Sequence, residues 1–209
     1  MGDGQIDVLR GIDFEVEKGE IIAVMGPSGV GKSTLLHILG GLDNPSSGRV
    51  YVDGVDVFGL SDADRAHFRN RHVGFVFQFH HLLSDFTALE NVMMPLLISG
   101  MSHTDARQPA AVLLGSVGLS HRVDHLPAEL SGGEAQRVAV ARALVANPKV
   151  VLADEPSGNL DAGRSSELHA LIWELARSRG QTFVIATHDA ELAKRADRVV
   201  RMADGGIVA

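Results

Sequence analysis

The chain has 209 residues, enough for one large domain or two small ones with a hydrophobic core. It has no cysteine, which excludes disulfides and thiolate zinc sites. Its formal net charge of −7 disfavours a general nucleic-acid binder. Its apolar runs at 35–42 and 92–98 are shorter than the ~20 residues of a membrane-spanning helix, and no export leader is evident, so we expect a cytosolic chain unless a partner holds it at a membrane.

The first predicted elements are two strands that lead into a glycine-rich loop. Residues 12–17 alternate apolar and polar side chains, which predicts a half-buried strand. Residues 21–25 form an apolar run typical of a strand buried on both faces. A helix is predicted over 32–40, after the loop at 26–34. This order of strand, loop and helix is the context that a phosphate-binding loop requires.

The residues of this loop suit a nucleoside triphosphate. Its glycines permit dihedrals and close approach that side chains would block, so successive N–H groups can surround the β-phosphate. Lys32 offers a positive charge to the β- and γ-phosphates, Ser33 a hydroxyl to Mg²⁺, and Thr34 a contact to the α-phosphate. The predicted nucleotide-binding residues are Gly26, Pro27, Ser28, Gly29, Val30, Gly31, Lys32, Ser33 and Thr34.

A hairpin, a helix and a strand are predicted next. Residues 51–58 contain an Asp53-Gly54 turn, which indicates a hairpin, and Ser61 is a plausible cap for a helix over 61–71. A strand over 73–77 ends at Gln78, whose amide can bind Mg²⁺ or the attacking water. A glutamine alone is a weak indication of function, and its position at the end of a strand is what supports a role in the site.

The pattern changes between residues 87 and 146, where helical periodicity dominates. Breaks are expected at Pro95, Gly100, Pro109 and Pro127. Strand-type runs return at 150–153 and 182–186, with a helix between them. We therefore predict an α/β, parallel-sheet core formed by residues 1–86 and 147–209, with an inserted α-helical subdomain over 87–146.

Ser131, Gly132 and Gly133 predict a second anion site, because they precede a helix over 134–145. The amino end of that helix is positive, and Ser131 can act as both cap and phosphate donor. Such a serine is ordinarily only a cap. Since the chain already has a complete phosphate-binding loop, we expect these residues to face the nucleotide of a different molecule. Asp161 lies in a turn suited to the seam of such a dimer.

The candidate catalytic residues are Glu155, His188 and Gln78, and the candidate metal ligands are Ser33, Gln78 and Asp154. Asp154 and Glu155 end a strand that we expect to lie beside the strand of the phosphate-binding loop. Asp154 would hold Mg²⁺ through water, and Glu155 would polarise the attacking water. His188 could contact the γ-phosphate and hold Glu155. The alternatives to these catalytic roles are that the two carboxylates cap the next helix and that the histidine is an ordinary surface residue.

Together these motifs resemble those of the ATP-binding subunit of the ABC superfamily. The resemblance rests on the Walker A loop at 26–34, the Gln78 loop, the signature at 130–134, the Walker B strand end at 154–155, the Asp161 loop and the His188 switch. It implies a P-loop ATPase fold in which two copies enclose two ATP molecules head to tail. Mg²⁺-dependent hydrolysis would open the dimer and drive membrane subunits that are seated at the Gln78 loop.

Residues 77–83, 86–92 and 39–48 are similar to the lipoprotein-releasing LolD subfamily. This resemblance implies a peripheral protein at the cytoplasmic face of the bacterial inner membrane, with no nucleic-acid partner. Two integral membrane subunits would dock between Phe79 and Leu83 and handle the lipoprotein, although plain core packing is the alternative for this run. The alternative functions are the ATPase of a MacB-like efflux or FtsE-like cell-division complex, or a regulatory module without transport.

Two features depart from the family pattern. Family members usually have more residues before the 12–17 segment, including an aromatic side chain that stacks on adenine, whereas no aromatic residue precedes Phe14 here. We therefore expect an incomplete N-terminal β region and ATP binding that is roughly several-fold weaker, since such stacking contributes ~0.5–1.5 kcal/mol. Ala135 stands where a bulkier polar residue is common, and we expect little effect from it.

Overall fold

A six-stranded, mostly parallel sheet forms the centre of the computed structural model, which describes residues 7–208. The strands in chain order are β1 (Ile21–Met25), β2 (Tyr51–Val52), β3 (Val55–Asp56), β4 (Val73–Val76), β5 (Val150–Asp154), β6 (Thr182–Thr187), β7 (Arg198–Ala203) and β8 (Gly206–Val208). The central sheet has the order β4-β5-β6-β1-β7-β8, and only its β7–β8 pair is antiparallel. β2 and β3 form the predicted hairpin separately.

Helices cover both faces of this sheet. They are α1 (Lys32–Leu39), α2 (Asp62–His72), α3 (Ala88–Ile98), α4 (His103–Ser116), α5 (Gly132–Leu144), α6 (Ala162–Arg179) and α7 (Ala190–Lys194). Because successive side chains of a strand point to opposite faces, Phe183 joins one core with α3–α6 while Val184 joins a second core with α1. Burial on both faces explains why β1, β5 and β6 are continuous apolar runs.

The strand predicted over 12–17 is wrong. Ile12, Phe14 and Val16 pack against the second core and alternate with exposed acidic residues, so the inferred one-sided burial is present. A strand also needs a neighbouring backbone, and the segment joins no strand ladder within residues 7–208. It is therefore irregular chain lying on the core. The predicted incomplete N-terminal region includes residues 1–6, which lie outside the described residues.

The predicted position of the acidic strand is also wrong. β5 does not lie beside β1, because β6 is inserted between them. Parallel strands need crossover connections, and the order in which crossovers place them depends on long-range packing. The register nevertheless aligns the strand ends, with Met25 opposite Thr187 and Asp154 opposite Ala186. The segments that follow β1, β5 and β6 therefore meet at one edge of the sheet.

Two predicted helix breaks are wrong. Pro95 lies inside α3 and Pro109 inside α4, whereas Gly100 lies between α3 and α4 and Pro127 between α4 and α5, as expected. A proline removes one helical hydrogen bond, but both helices bury apolar residues on either side of it, and this burial outweighs the loss. That α3–α5 form a separate subdomain stays a prediction. Within the described chain, every helix is too short or too polar to cross a membrane.

Candidate functional site

The glycine-rich loop joins β1 to α1 and closes around Lys32. Gly29 and Gly31 have φ values of 79° and 103°, which glycine adopts without strain. A Cβ on Gly26 would lie 2.6 Å from the carbonyl oxygen of Met202, so no larger residue fits there. The buried Lys32 Nζ donates to the carbonyls of Gly26 at 2.8 Å and Pro27 at 3.1 Å. The ammonium is thus held at the centre of the loop.

The amino end of α1 differs from those of the other six α-helices in the described chain. Each of those six helices begins at an N-cap residue whose side chain accepts a hydrogen bond from the first turn. These residues are Ser61, Thr87, Ser102, Ser131, Asp161 and Asp189. The N-cap of α1 is Gly31, which has no side chain to accept a hydrogen bond. The first N–H groups of α1 therefore lack a side-chain acceptor and suit an external anion.

Asp154 lies at the carboxyl end of β5, and its Oδ1 atom is buried without a hydrogen-bond partner among residues 7–208. An unsatisfied buried carboxylate oxygen is costly unless a cation or water completes it. This oxygen fits the predicted role as a magnesium ligand. Ser33, the second predicted ligand, is exposed at the start of α1. The ligand set itself stays a prediction.

Gln78 is exposed beyond β4 and forms a reciprocal pair with Asn159. Its Nε2 donates to Asn159 Oδ1 at 3.3 Å, and Asn159 Nδ2 donates to the Gln78 carbonyl at 2.9 Å. The pair joins the Gln78 loop to the turn at 157–161. The sequence reasoning missed Asn159, because its partner lies 81 positions away in the chain.

Glu155 and His188 are in contact, as their predicted roles require. The Glu155 carboxylate accepts a hydrogen bond from His188 Nδ1 at 2.9 Å and a longer one from Thr187 Oγ1 at 3.5 Å. Glu155 has a left-handed φ of 44° and donates its N–H to the Ala186 carbonyl. This sparsely populated conformation turns its side chain toward the segment after β6. Thr187 is a second residue that the sequence reasoning missed.

Ser131 begins α5 through a reciprocal cap with Glu134. The Ser131 hydroxyl accepts from the Glu134 N–H at 3.3 Å, and the Glu134 carboxylate accepts from the Ser131 N–H at 2.8 Å. Arg122 Nε donates to the same carboxylate at 3.0 Å. Gly132 and Gly133 form the first turn of this helix.

Two of the signature residues line a cavity against α6. A cavity of about 310 Å³ is bounded by Ser131 and Gly133 together with residues of α6, and no residue of 26–34 lines it. Asp161 caps α6, because its Oδ1 accepts from the Arg164 N–H at 3.0 Å. The predicted nucleotide contacts of Ser131, Gly132, Gly133 and Asp161 therefore stay predictions about a site shared with another molecule.

We expect the Glu134 cap to make stability depend on acid. Hydrogen bonds from the Ser131 N–H and hydroxyl, with help from Arg122, lower the pKa of Glu134 from 4.5 to about 2. Because the folded-state pKa is depressed, the cap contributes fully above pH 4.5 and its contribution is lost as the pH falls toward 2. Glu134→Gln should cost about 1 kcal/mol at pH 7. Urea unfolding at several pH values measures the difference, which should shrink in acid; a constant difference would contradict this account.

Comparison with known proteins decides the family. The ABC transporter family matches residues 9–158, most of the described chain. The chain belongs to the ABC transporter family. It is an ATP-binding subunit of the LolD type, 60% identical to the lipoprotein-releasing system ATP-binding protein LolD of Geobacter metallireducens, over 100% of this chain and 92% of that relative. The LolD of Porphyromonas gingivalis is 54% identical over 97% of this chain and 92% of its own length.

The fold of this ABC protein also matches solved structures. The dimeric post-hydrolysis state of the ATP-binding cassette MJ0796, bound to ADP and Pi, superimposes with a TM-score of 0.91 and is 38% identical, covering 100% of this chain and 92% of that one. A second dimeric structure of MJ0796 gives the same TM-score. The predicted fold class and the predicted family are thus confirmed, and the chain is an ATP-hydrolysing enzyme of this family.

Proposed function

We propose that this chain binds and hydrolyses ATP for a complex that releases lipoproteins from the bacterial inner membrane for sorting to the outer membrane. The observation that carries this proposal is the likeness to LolD proteins over nearly the whole chain. The MacB-like and FtsE-like alternatives are not favoured, because the relatives described above are named as parts of lipoprotein-releasing systems. A regulatory module without transport lacks a specific observation in its favour.

ATP binding is proposed to use the loop of residues 26–34. The N–H groups at the start of α1 would hold the phosphates, since Gly31 leaves them without a side-chain acceptor. Lys32 already lies inside the loop, and its ammonium would exchange the Gly26 and Pro27 carbonyls for the β- and γ-phosphates. Burial of the ammonium favours this exchange, because a buried charge is stabilised most by an opposite charge.

Asp154, Ser33 and Gln78 are proposed to hold Mg²⁺. The partnerless Asp154 oxygen supports this assignment, and the hydroxyl and amide oxygens suit a hard cation. Bound Mg²⁺ would neutralise part of the phosphate charge. Gln78 would leave Asn159 to reach the metal or the water, so its position would depend on whether the γ-phosphate is present.

Glu155 is proposed to polarise the water that attacks the γ-phosphate. His188 Nδ1 holds one carboxylate oxygen and Thr187 Oγ1 lies near the other, which restricts the rotation of the Glu155 side chain. A fixed carboxylate can orient a water molecule and accept its proton as the new bond to phosphorus forms. The contact supports a role for His188 in positioning Glu155 and the water.

A second copy of the chain is proposed to complete each site. Ser131 and Gly133 face a cavity without residues of their own phosphate-binding loop, which supports their use by the partner's nucleotide. The related MJ0796 cassettes are dimeric in the structures described above. ATP would stabilise the closed dimer, and hydrolysis would open it.

Two integral membrane subunits are proposed to dock between Phe79 and Leu83, which would hold the chain at the cytoplasmic face of the inner membrane. Phe79 is 63% exposed and Leu83 44% exposed, so the core-packing alternative applies to Leu82 and not to them. Exposed large apolar side chains close together mark interaction surfaces. Arg142 stiffens the segment, since its guanidinium donates to the carbonyls of His80 and His81 at 2.8 Å.

Affinity purification from the membranes of the host tests this function. We expect the tagged full-length chain to retain two membrane proteins with large extracytoplasmic domains and bound lipoprotein. Phe79→Ser should lose these partners while its ATPase activity is retained. Val112→Ser, which changes an exposed apolar residue on α4, is the matched control. Recovery of an efflux or cell-division partner instead would contradict the assignment of lipoprotein as the substrate but would leave the assignment as an ATPase unchanged.

A further inference from the structure

His169 is a buried imidazole that the mechanism above does not use. It lies on α6 and is only 5% exposed. Its Nε2 atom is 2.7 Å from the Ser157 hydroxyl, and its Nδ1 atom is 3.9 Å from a carboxylate oxygen of Asp189. Ser157 follows Glu155 by two positions, and Asp189 follows His188 directly. The imidazole therefore lies between the two chain segments that carry the catalytic contact.

The neighbours of the ring determine which nitrogen carries the proton. A carboxylate only accepts, so the neutral imidazole is most stable with its proton on Nδ1, toward Asp189. Nε2 then accepts a hydrogen bond from the Ser157 hydroxyl. Burial lowers the pKa of His169, which favours this neutral form. The ring thus makes a hydrogen bond to Ser157 at Nε2 and a longer electrostatic contact of 3.9 Å with Asp189 at Nδ1.

Both ends of this link are tied to their own segments. The Ser157 segment contains Asn159, which pairs with Gln78, and ends at Asp161. At the other end, Asp189 donates its N–H to Thr187 Oγ1 at 3.0 Å and accepts at Oδ1 from the N–H groups of Glu191 and Leu192. A displacement of one segment would therefore shift the other segment through the imidazole.

We propose that His169 is a positioning residue that couples the turn at 157–161 to His188, so that contact between two copies of the chain sets the alignment of Glu155. The proposal rests on the proposed function in one respect, since it takes the turn to face a second copy. An apolar side chain would fill the same space in the core without burying a polar ring. The polar ring instead adds a second contact between two segments that the Glu155–His188 hydrogen bond already joins.

Steady-state ATPase kinetics of the full-length chain test this coupling. His169→Phe fills the space without hydrogen bonds, and Ser157→Ala removes the partner hydroxyl. We expect each to lower kcat roughly 3- to 30-fold with the KM for ATP nearly unchanged, and the double variant to lose no more than His169→Phe alone. His169→Gln, whose amide reaches the Nε2 position, should recover part of the loss. Ile172→Val, a buried change on the same helix, is the control.

Hydrogen exchange gives a second readout that does not require turnover. His169→Phe should speed the exchange of amides in both 157–161 and 188–192, whereas Ile172→Val should affect neither segment selectively. Multiplying losses of kcat in the double variant, or faster exchange in only one segment, would overturn the coupling. An unchanged kcat with only a lower Tm would do the same. A wild-type chain that fails to hydrolyse ATP or to dimerise would instead refute the proposed function.

Discussion

Glu155→Gln is expected to lower ATP turnover by ~10²-fold or more and to trap an ATP-bound dimer. The glutamine amide keeps the size of the carboxylate and can still accept from His188 Nδ1, so the site should remain assembled. It cannot take a proton from the attacking water, which removes the step that we assign to Glu155. Turnover at saturating MgATP and the molar mass in solution under the same conditions measure the two effects.

Glu174→Gln is the matched control, because it makes the same chemical change at an exposed position on α6. It should turn over ATP at the wild-type rate and exchange between monomer and dimer during the cycle. A monomeric Glu155→Gln at saturating MgATP would contradict the shared site. Retained turnover would show that another group activates the water.

Lys32→Ala is expected to weaken ATP binding about 10- to 100-fold, the range of a lost charge-assisted hydrogen bond of about 1.5–3 kcal/mol. The change removes the ammonium that the loop surrounds and leaves the Gly26 and Pro27 carbonyls without their donor. Both effects act on the phosphate site, so the loss should appear in the dissociation constant. Isothermal titration with ATP measures it directly.

Lys194→Ala controls for the general loss of a positive charge. Lys194 is exposed at the end of α7 and pairs only with Glu191 within the described residues, so ATP affinity should be unchanged. The Tm of both variants separates a binding defect from misfolding. An unchanged dissociation constant for a folded Lys32→Ala would contradict the role assigned to this lysine.

The polar contacts of the site illustrate what residue patterns cannot reveal. His188 and Glu155 were paired from their strand-end positions, and the structure brings them within 2.9 Å. No sequence pattern predicted the contact of Asn159 with Gln78 or the contacts of His169. Each joins residues from different elements, and its existence depends on how those elements pack rather than on local spacing.

The sequence by itself determined the features of this protein that depend on near neighbours in the chain. Glycines permit the left-handed turns of the phosphate-binding loop, and Ser61 and Ser131 cap helices that begin directly after them. Apolar runs specify β1, β5 and β6 because both faces of a covered sheet exclude water. Because each of these effects acts over a few neighbouring residues, its pattern can be recognised in the amino-acid sequence.

Only the tertiary structure decided the strand order, the irregular path of residues 12–17 and the continuation of two helices through proline. β6 lies between β5 and β1 because crossover connections place strands by long-range packing. Residues 12–17 have the alternation of a strand without a backbone partner, and Pro95 stays helical because its neighbours are buried. These outcomes depend on contacts between residues distant in sequence, whose free energies overrule local preference.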